Sequence, residues 1–223
     1  MANTSITNKL ASMADRRIHS IRQSLEQARL FRQSGGFSGQ SIIWDHQDVS
    51  RTDLSGECLV EASLIETNLE DCILDGADLY GCFAGGAVFT RSSVREANFT
   101  KAVLESAVFQ GVRGEEPRFV KCNLVDADFT EAQLPKACLA SAHAAGARFH
   151  DASLVGADLT KTALTAANLT RADVAGARFE MTHVEGIVLA SIRGLEAANV
   201  VSVFVGERLL ESNEAREWLR SRA

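Results

Sequence analysis

Proline and tyrosine are close to absent, with two prolines and one tyrosine among 223 residues, and aromatic residues make up only 6% of the chain. Alanine and leucine abound instead, beside 16 glycines and 11 phenylalanines. Interior positions are therefore filled from a narrow menu, as in repeat architectures. Paired cysteines are lacking as well: the five (Cys58, Cys72, Cys82, Cys122 and Cys138) are odd in number and include no C-x-x-C. Neither a secreted disulfide framework nor a zinc site is indicated, and a cytoplasmic, reduced setting is the expectation. No apolar run follows the polar start Met1 to Ser5, and no stretch approaches the length of a membrane span. A signal peptide and a membrane partner are therefore not expected. Positive charge is not in excess either. With 29 acidic against 23 basic residues the net charge is −6, so a nucleic-acid backbone would be repelled and a basic protein surface suits the chain better.

What is present is a five-residue period that keeps one phase from about residue 52 to 189. Its centres are the residues whose numbers end in 4 or 9. From Leu54 to Leu189 there are 28, of which 25 are Leu, Phe or Val, the exceptions being Ala84, Gly114 and Ala144. Two residues earlier the chain is small: 24 of the 28 positions are Ala, Cys, Ser or Thr, as in Ala77-Asp78-Leu79 and Ala167-Asn168-Leu169. A period of five fits neither the 3.6 of a helix nor the 2.0 of a strand. Each unit must be one side of a coil, with two residues pointing inward and a turn at each end.

The A-(D/N)-L-x-x pattern resembles the pentapeptide-repeat family over roughly residues 50 to 190. The resemblance implies an all-β solenoid, a right-handed quadrilateral β-helix with four pentads per coil. The 28 units then make about seven coils, and at a strand spacing of ~4.8 Å the rod is roughly 33 Å long. Centres twenty apart stack, so Leu69, Phe89, Phe109, Phe129, Phe149, Leu169 and Leu189 are expected to form one core ladder, with Phe99 and Phe119 in another column. Glu57 and Pro117 in inward slots and Gly114 at a centre are departures. They predict that regular stacking begins near Ala62 and that Gly111 to Arg118 is a bulge or short protruding loop.

The ends of such a tube expose unpaired backbone and apolar interior, and need caps. Residues 1–44 are expected to form an N-terminal helical leader or cap, 45–190 the β-helix, and 191–223 a C-terminal cap. Ile6, Leu10, Met13, Ile18, Ile21, Leu25 and Ala28 recur at helical spacing over residues 5 to 32, with Gly35-Gly36 as a stop. Val200 to Val205 reads as a strand turning at Gly206-Glu207, followed by a helix from about Asn213 to Arg222 with Ser212 or Asn213 as N-cap. Val201, Val203, Phe204 and Trp218 are the residues that would cap the tube or join two copies into a homodimer. Charge is uneven. Residues 45–90 hold ten acidic residues against Arg51 alone, whereas residues 91–190 hold twelve against eleven.

No catalytic, cofactor or metal set emerges. Cys72, Cys82 and Cys122 occupy inward slots as small apolar fillers. Cys82 and Cys122, two coils apart, lie roughly 10 Å from each other, beyond disulfide reach, and Cys58 and Cys138 are four coils apart. His143 and His183 share a column at that same two-coil separation, while His19, His46 and His150 lie elsewhere, so no pair has ligand or base–nucleophile spacing. Gly81, Gly85 and Gly86 lack the strand-to-helix context of a phosphate loop. Arg16, Arg17, Arg22, Arg29 and Arg32 give the leader a basic face able to fold onto the acidic first coils. Glu61, Glu66, Glu70, Asp71, Asp75 and Asp78 all fall in outward slots, and a ladder of carboxylates along the rod is expected from them.

Function is therefore expected to be non-enzymatic. Some relatives in the family imitate B-DNA in shape and charge, bind type II topoisomerases and protect gyrase from poisons. The resemblance thus implies DNA gyrase or topoisomerase IV as partner, through the acidic surface. A different class of reading is a scaffold or adaptor, or a secretion-system accessory protein, docking through its terminal helix or a rod face.

Overall fold

The computed structural model describes residues 17–30 and 42–223. From Ile43 to Arg193 the backbone winds as a parallel β-helix, in which every residue whose number ends in 3 or 8 bridges the residue twenty further on. Four bridge columns result, one for each side of the coil. Between sides the chain turns. The amide of each inward small residue donates to the carbonyl of the preceding centre, as from Ala62 to Leu59 at 3.1 Å. The residue before it takes positive φ, for example Glu61 at 55°, Glu66 at 51° and Asp71 at 56°, the requirement at the third position of a type II turn. That corner amide donates across to the next coil, Glu61 N to Tyr80 O at 2.9 Å, so the second half of each such turn is tied both within its coil and to the next.

The two inward residues per side explain the sequence pattern. The centres are buried throughout except at Gly114, and the small residues between them are nearly all buried too. Phe89 stacks on Phe109 at 4.6 Å between ring centroids, Phe109 on Phe129 at 4.7 Å and Phe129 on Phe149 at 5.0 Å. Phe99 stacks on Phe119 in the next column at 4.9 Å and meets Phe89 and Phe109 edge-on. Both geometries are the favourable ones for aromatic pairs. Where the small inward residue is polar, its hydroxyl is satisfied: Thr67 donates to Trp44 O, Ser92 to Leu69 O, Thr162 to Leu139 O and Thr182 to Leu159 O, at 2.6–2.9 Å.

Two departures resolve differently from expectation. Stacking begins a coil earlier than Ala62, since Ile43 already bridges Ser63 and Trp44, Val49, Leu54 and Leu59 are buried. Glu57 does not interrupt it, because its carboxylate is paired with Arg29. Nor does Gly111 to Arg118 bulge. Arg113 bridges Ser93 and Gln133, Arg118 bridges Asn98 and Cys138, and Gly114 N donates to Gln133 O at 2.9 Å. The backbone at Gly114 instead lies close against the preceding coil, where a Cβ would meet Arg95 N and Val94 C at 2.7 Å. Pro117, buried in its inward slot, only removes the turn amide that other pentads use.

Helix α1, residues 17–30, buries Ile21, Leu25 and Ala28, spaced four and three residues apart, in the same core cluster as Trp44 and Val49. Ser24 Oγ accepts from Trp44 Nε1 at 3.0 Å. The expected positions Ile6, Leu10, Met13, Arg16, Arg32 and Gly35-Gly36 lie outside the described residues.

At the other end β1 (Arg178–Phe179) and β2 (Thr182–His183) pair in parallel with β3 (Asn199–Val200) and β4 (Ser202–Val205) at a separation of 21 residues, one more than in the coils before. The extra residue is taken up by a 3-10 turn, Leu195–Ala197, behind Gly194. Gly194 has φ 74°, and a Cβ on it would meet Ala175 N at 2.5 Å. A hairpin at Gly206-Glu207 leads into β5 (Arg208–Glu211), a strand the sequence reading missed, antiparallel to β4. Helix α2 then spans Ser212–Arg220, with Glu211 as N-cap and no side-chain cap bond, in place of the expected Ser212 or Asn213. Ala215 and Leu219 are its buried residues.

Candidate partner-binding surface

With the tube interior filled by the chain itself, chemistry is left to the outward slots. The six acidic residues do not form the expected ladder. Glu61, Glu66, Glu70, Asp71 and Asp75 occupy four successive corners of one coil, with Glu70 beside Asp71, and Asp78 lies on the side that follows, so together they make a belt around the tube. A column along the rod consists of residues twenty apart, and none of the six has an acidic residue above or below it. Asp71 sits between Arg51 and Arg91, its oxygens 3.9 and 2.9 Å from their Nε atoms. Glu70 also meets Arg91, Asp75 meets Arg95 at 3.6 Å, and Glu66 meets His46 at 3.1 Å. The hydrogen bond from Arg91 holds the Asp71 carboxyl below the usual aspartate range. Among the described residues, Glu61 and Asp78 alone of the six have no Arg, Lys or His side chain within 4.0 Å; Asp78 accepts from Asn98 Nδ2 at 2.8 Å.

The basic side of α1 is engaged with this acidic end. Arg17 donates to Asp48 and, at 3.1 Å, to Ser50 O, while Arg29 reaches Glu57. Between helix and first coil runs an open cleft of about 510 Å³, floored by Ile18, Ile21 and Leu25 and rimmed by Arg22, Asp53 and Glu57.

The thiols and imidazoles are dispersed. Cys72 and Cys122 donate to Val49 O and Phe99 O at 3.2 and 2.7 Å. Burial pushes Cys72 up to about 11 and Cys122 up to about 12, which makes both poor nucleophiles at neutral pH. Ala163 separates His143 from His183 in their column, and His183 stacks on Phe204 at 4.7 Å. Among the described residues no group of three acidic, histidine or cysteine side chains could hold a metal, and no helix is long and apolar enough to cross a membrane.

Of the C-terminal residues, Val203 is buried in the chain's own core, Phe204 is half-buried against His183, and Trp218 packs on the core under the Arg222 guanidinium at 4.0 Å. Their contacts lie within the chain, and Val201 and Leu209 are the exposed bulky residues there. The sequence reading overlooked a second exposed set. Ile43, Ile65 and Phe83 are 65%, 40% and 50% exposed; Ile43, Ser63, Phe83 and Val103 succeed one another in a single bridge column, and Ile65 lies beside it. Their signal was a bulky apolar residue in an outward slot that elsewhere is mostly polar.

A tube that is solid inside, polar over most of its outside and built from five-residue sides is a β-solenoid. The pattern described as pentapeptide repeats matches eight copies here, over residues 48–83, 85–113, 115–143 and 145–180, and the chain belongs to that family. Its right-handed β-helix is the fold of this chain. Solved structures similar to this chain include HetL, a pentapeptide repeat protein involved in heterocyst differentiation regulation from the cyanobacterium Nostoc sp. strain PCC 7120. It is 18% identical, with 79% of this chain and 94% of that one covered and a TM-score of 0.42. QnrB1, a plasmid-mediated fluoroquinolone resistance protein, is 15% identical over 82% of this chain and 95% of its own, with a TM-score of 0.43. A pentapeptide repeat protein of the Arabidopsis thaliana thylakoid lumen is 26% identical over 51% and 78%, with a TM-score of 0.38. No curated protein matches the sequence.

Proposed function

We propose that this chain works without catalysis, as a rigid rod whose outer faces are read by a protein partner. The observation that carries this reading is the filled interior. Side chains close the tube from Val49 to Leu189, so recognition falls to the outside. Bridging at every side of every coil makes that outside a preorganised surface, which reduces the ordering cost of association.

The partner to test first is a type II topoisomerase, gyrase or topoisomerase IV, met through the acidic coils. The ten carboxylates of residues 45–90 support it. The inter-coil ion pairs work against a DNA-like line of charge, because duplex DNA presents a charge every ~1.7 Å of axis. A supercoiling assay with and without a gyrase poison, titrating the protein, checks this partner. Rescue or inhibition by the natural chain should vanish when Asp53, Glu61 and Asp78 are changed to Lys. These three have no described cation, so their reversal leaves Arg91 and Arg95 paired. No effect at micromolar protein excludes the topoisomerase and leaves a scaffold or adaptor. Docking through the basic side of α1 is disfavoured for such a scaffold, since Arg17 and Arg29 already hold the tube, and a rod face remains.

A further inference from the structure

We infer that the side of the tube running through Ile43, Ser63, Phe83 and Val103 is the docking face, and that it takes a cationic amphipathic helix of the partner. The inference rests on the protein-binding reading above and names the face and the chemistry it selects. Monomeric proteins rarely leave several large apolar side chains exposed together, yet Ile43, Ile65 and Phe83 are all well exposed within two coils. Further along the same column the residues become Asn123, His143 and Ala163, so the apolar stretch belongs to the N-terminal coils alone.

The positive-φ residue of each corner beside Phe83 is glycine, Gly81 and Gly86. Side chains from the preceding coil lie over them: a Cβ on Gly81 would be 3.6 Å from Glu61 Cγ, and one on Gly86 would be 3.2 Å from Glu66 Cγ. The corner after Phe83, Gly85-Gly86, thus carries no side chain, the corner before it carries Tyr80 alone, and the stems of two glutamates flank the strip. Asp45 adds a third carboxylate at the edge, accepting from Ser63 Oγ at 2.7 Å and Ile65 N at 2.9 Å. Lys101, the nearby cation, is turned over the Tyr80 ring at 5.3 Å. An apolar centre rimmed by carboxylates complements a segment with apolar anchors and Lys or Arg flanks.

The spacing suits a helix laid along the rod. Successive coils rise ~4.8 Å, and side chains at i, i+3 or i+4, and i+7 of a helix follow one another at ~5 Å. Such a helix would set one anchor by Ile43 and the next but one by Phe83.

The test uses the full chain and a synthetic 16-residue peptide with Leu at i, i+3, i+4 and i+7 and Lys or Arg elsewhere, read by fluorescence anisotropy. A peptide of the same composition with scrambled order controls for charge alone. The ordered peptide should bind the natural chain at least tenfold tighter than the scrambled one. That preference should be lost in the Ile43→Ser/Phe83→Ser double variant and kept in Ile73→Ser, which alters an exposed residue on another side. Thermal unfolding midpoints close to that of the natural chain show the variants folded. Equal binding of the two peptides, or a preference that survives the double variant, overturns the proposal. So does sedimentation showing that the natural chain pairs with itself through Phe83, since the occupant is then a second copy. None of these failures touches the rod reading, which stands or falls on capture of a protein partner by the natural chain.

Discussion

The middle of the tube and its N-terminal end solve the same packing problem with different means. In the middle, Phe109 is covered above and below by Phe89 and Phe129 and on its edge by Phe99 and Phe119, so each coil is insulated by its neighbours. At the end, the first coil has a neighbour on one side only, and α1 supplies the other with three buried apolar residues and tethers from Arg17, Ser24 and Arg29. Interior coils are held by stacking that repeats, whereas the end depends on contacts made once. In a quasi-one-dimensional array, stability is a sum over such neighbours, and the end should be the first part to open.

The sharpest way to break this comparison is Phe109→Ala. A large cavity between two stacked rings should cost ~3–5 kcal/mol, against ~2–3 kcal/mol for Leu59→Ala near the end, measured by denaturant unfolding. Equal costs would mean that the rings contribute no more than leucine. Next in size is Gly114→Ala. The added methyl group meets the Arg95 and Val94 backbone and should cost ~1–3 kcal/mol. Gly85→Ala, whose Cβ would sit 3.7 Å from Glu105 O, should stay within ~0.5 kcal/mol.

At the end itself, Arg29→Ala leaves the Glu57 carboxylate, only 12% exposed, without its partner. The loss should be ~1 kcal/mol, and amide exchange should rise in α1 and the first coil while the Phe89 to Phe149 coils stay protected. Uniform exchange along the rod would show that the cap and the middle open together.

The smallest effect is acid sensitivity. Asp128 in the middle is buried, which pushes its carboxyl up. Hydrogen bonds from Thr130, Gln110 and Arg148 outweigh that and leave it below the ordinary value. Asp48 at the end is likewise lowered: burial raises it, and Ser50 and Arg17 overcome the burial. A depressed folded value means that stability is present in full above the unfolded value near 4 and is withdrawn as pH falls below it. Stability should therefore be flat for these groups from pH 7 to about 5 and decline below 4. Asp128→Asn should show the shallower decline between pH 4 and 2.

Much of this architecture was legible beforehand. Twenty-eight centres in one phase mark the inward positions without any knowledge of contacts, since every side repeats the same local geometry. The exceptions were harder. Gly114 and Pro117 looked like a bulge because the residues are unlike their neighbours, but without a side chain at Gly114 the backbone could pack close on the preceding coil and keep its bridges. The strand β5 and the 21-residue step behind Gly194 lie beyond the repeat, where no period announces them.

The acidic residues show where sequence reading stops. Their outward placement followed from the pentad, but whether they line up, and what neutralises them, depends on residues twenty positions away in the stack, such as Arg91 against Asp71. It also depends on a helix that reaches back across 31 residues from Arg17 to Asp48. By itself the sequence determined the tube and its core, because a repeat carries the same inward residues to every coil. Only the tertiary structure decided the surface: the charge pairs, the helix contacts and the apolar strip around Phe83 arise between segments whose meeting no local pattern encodes.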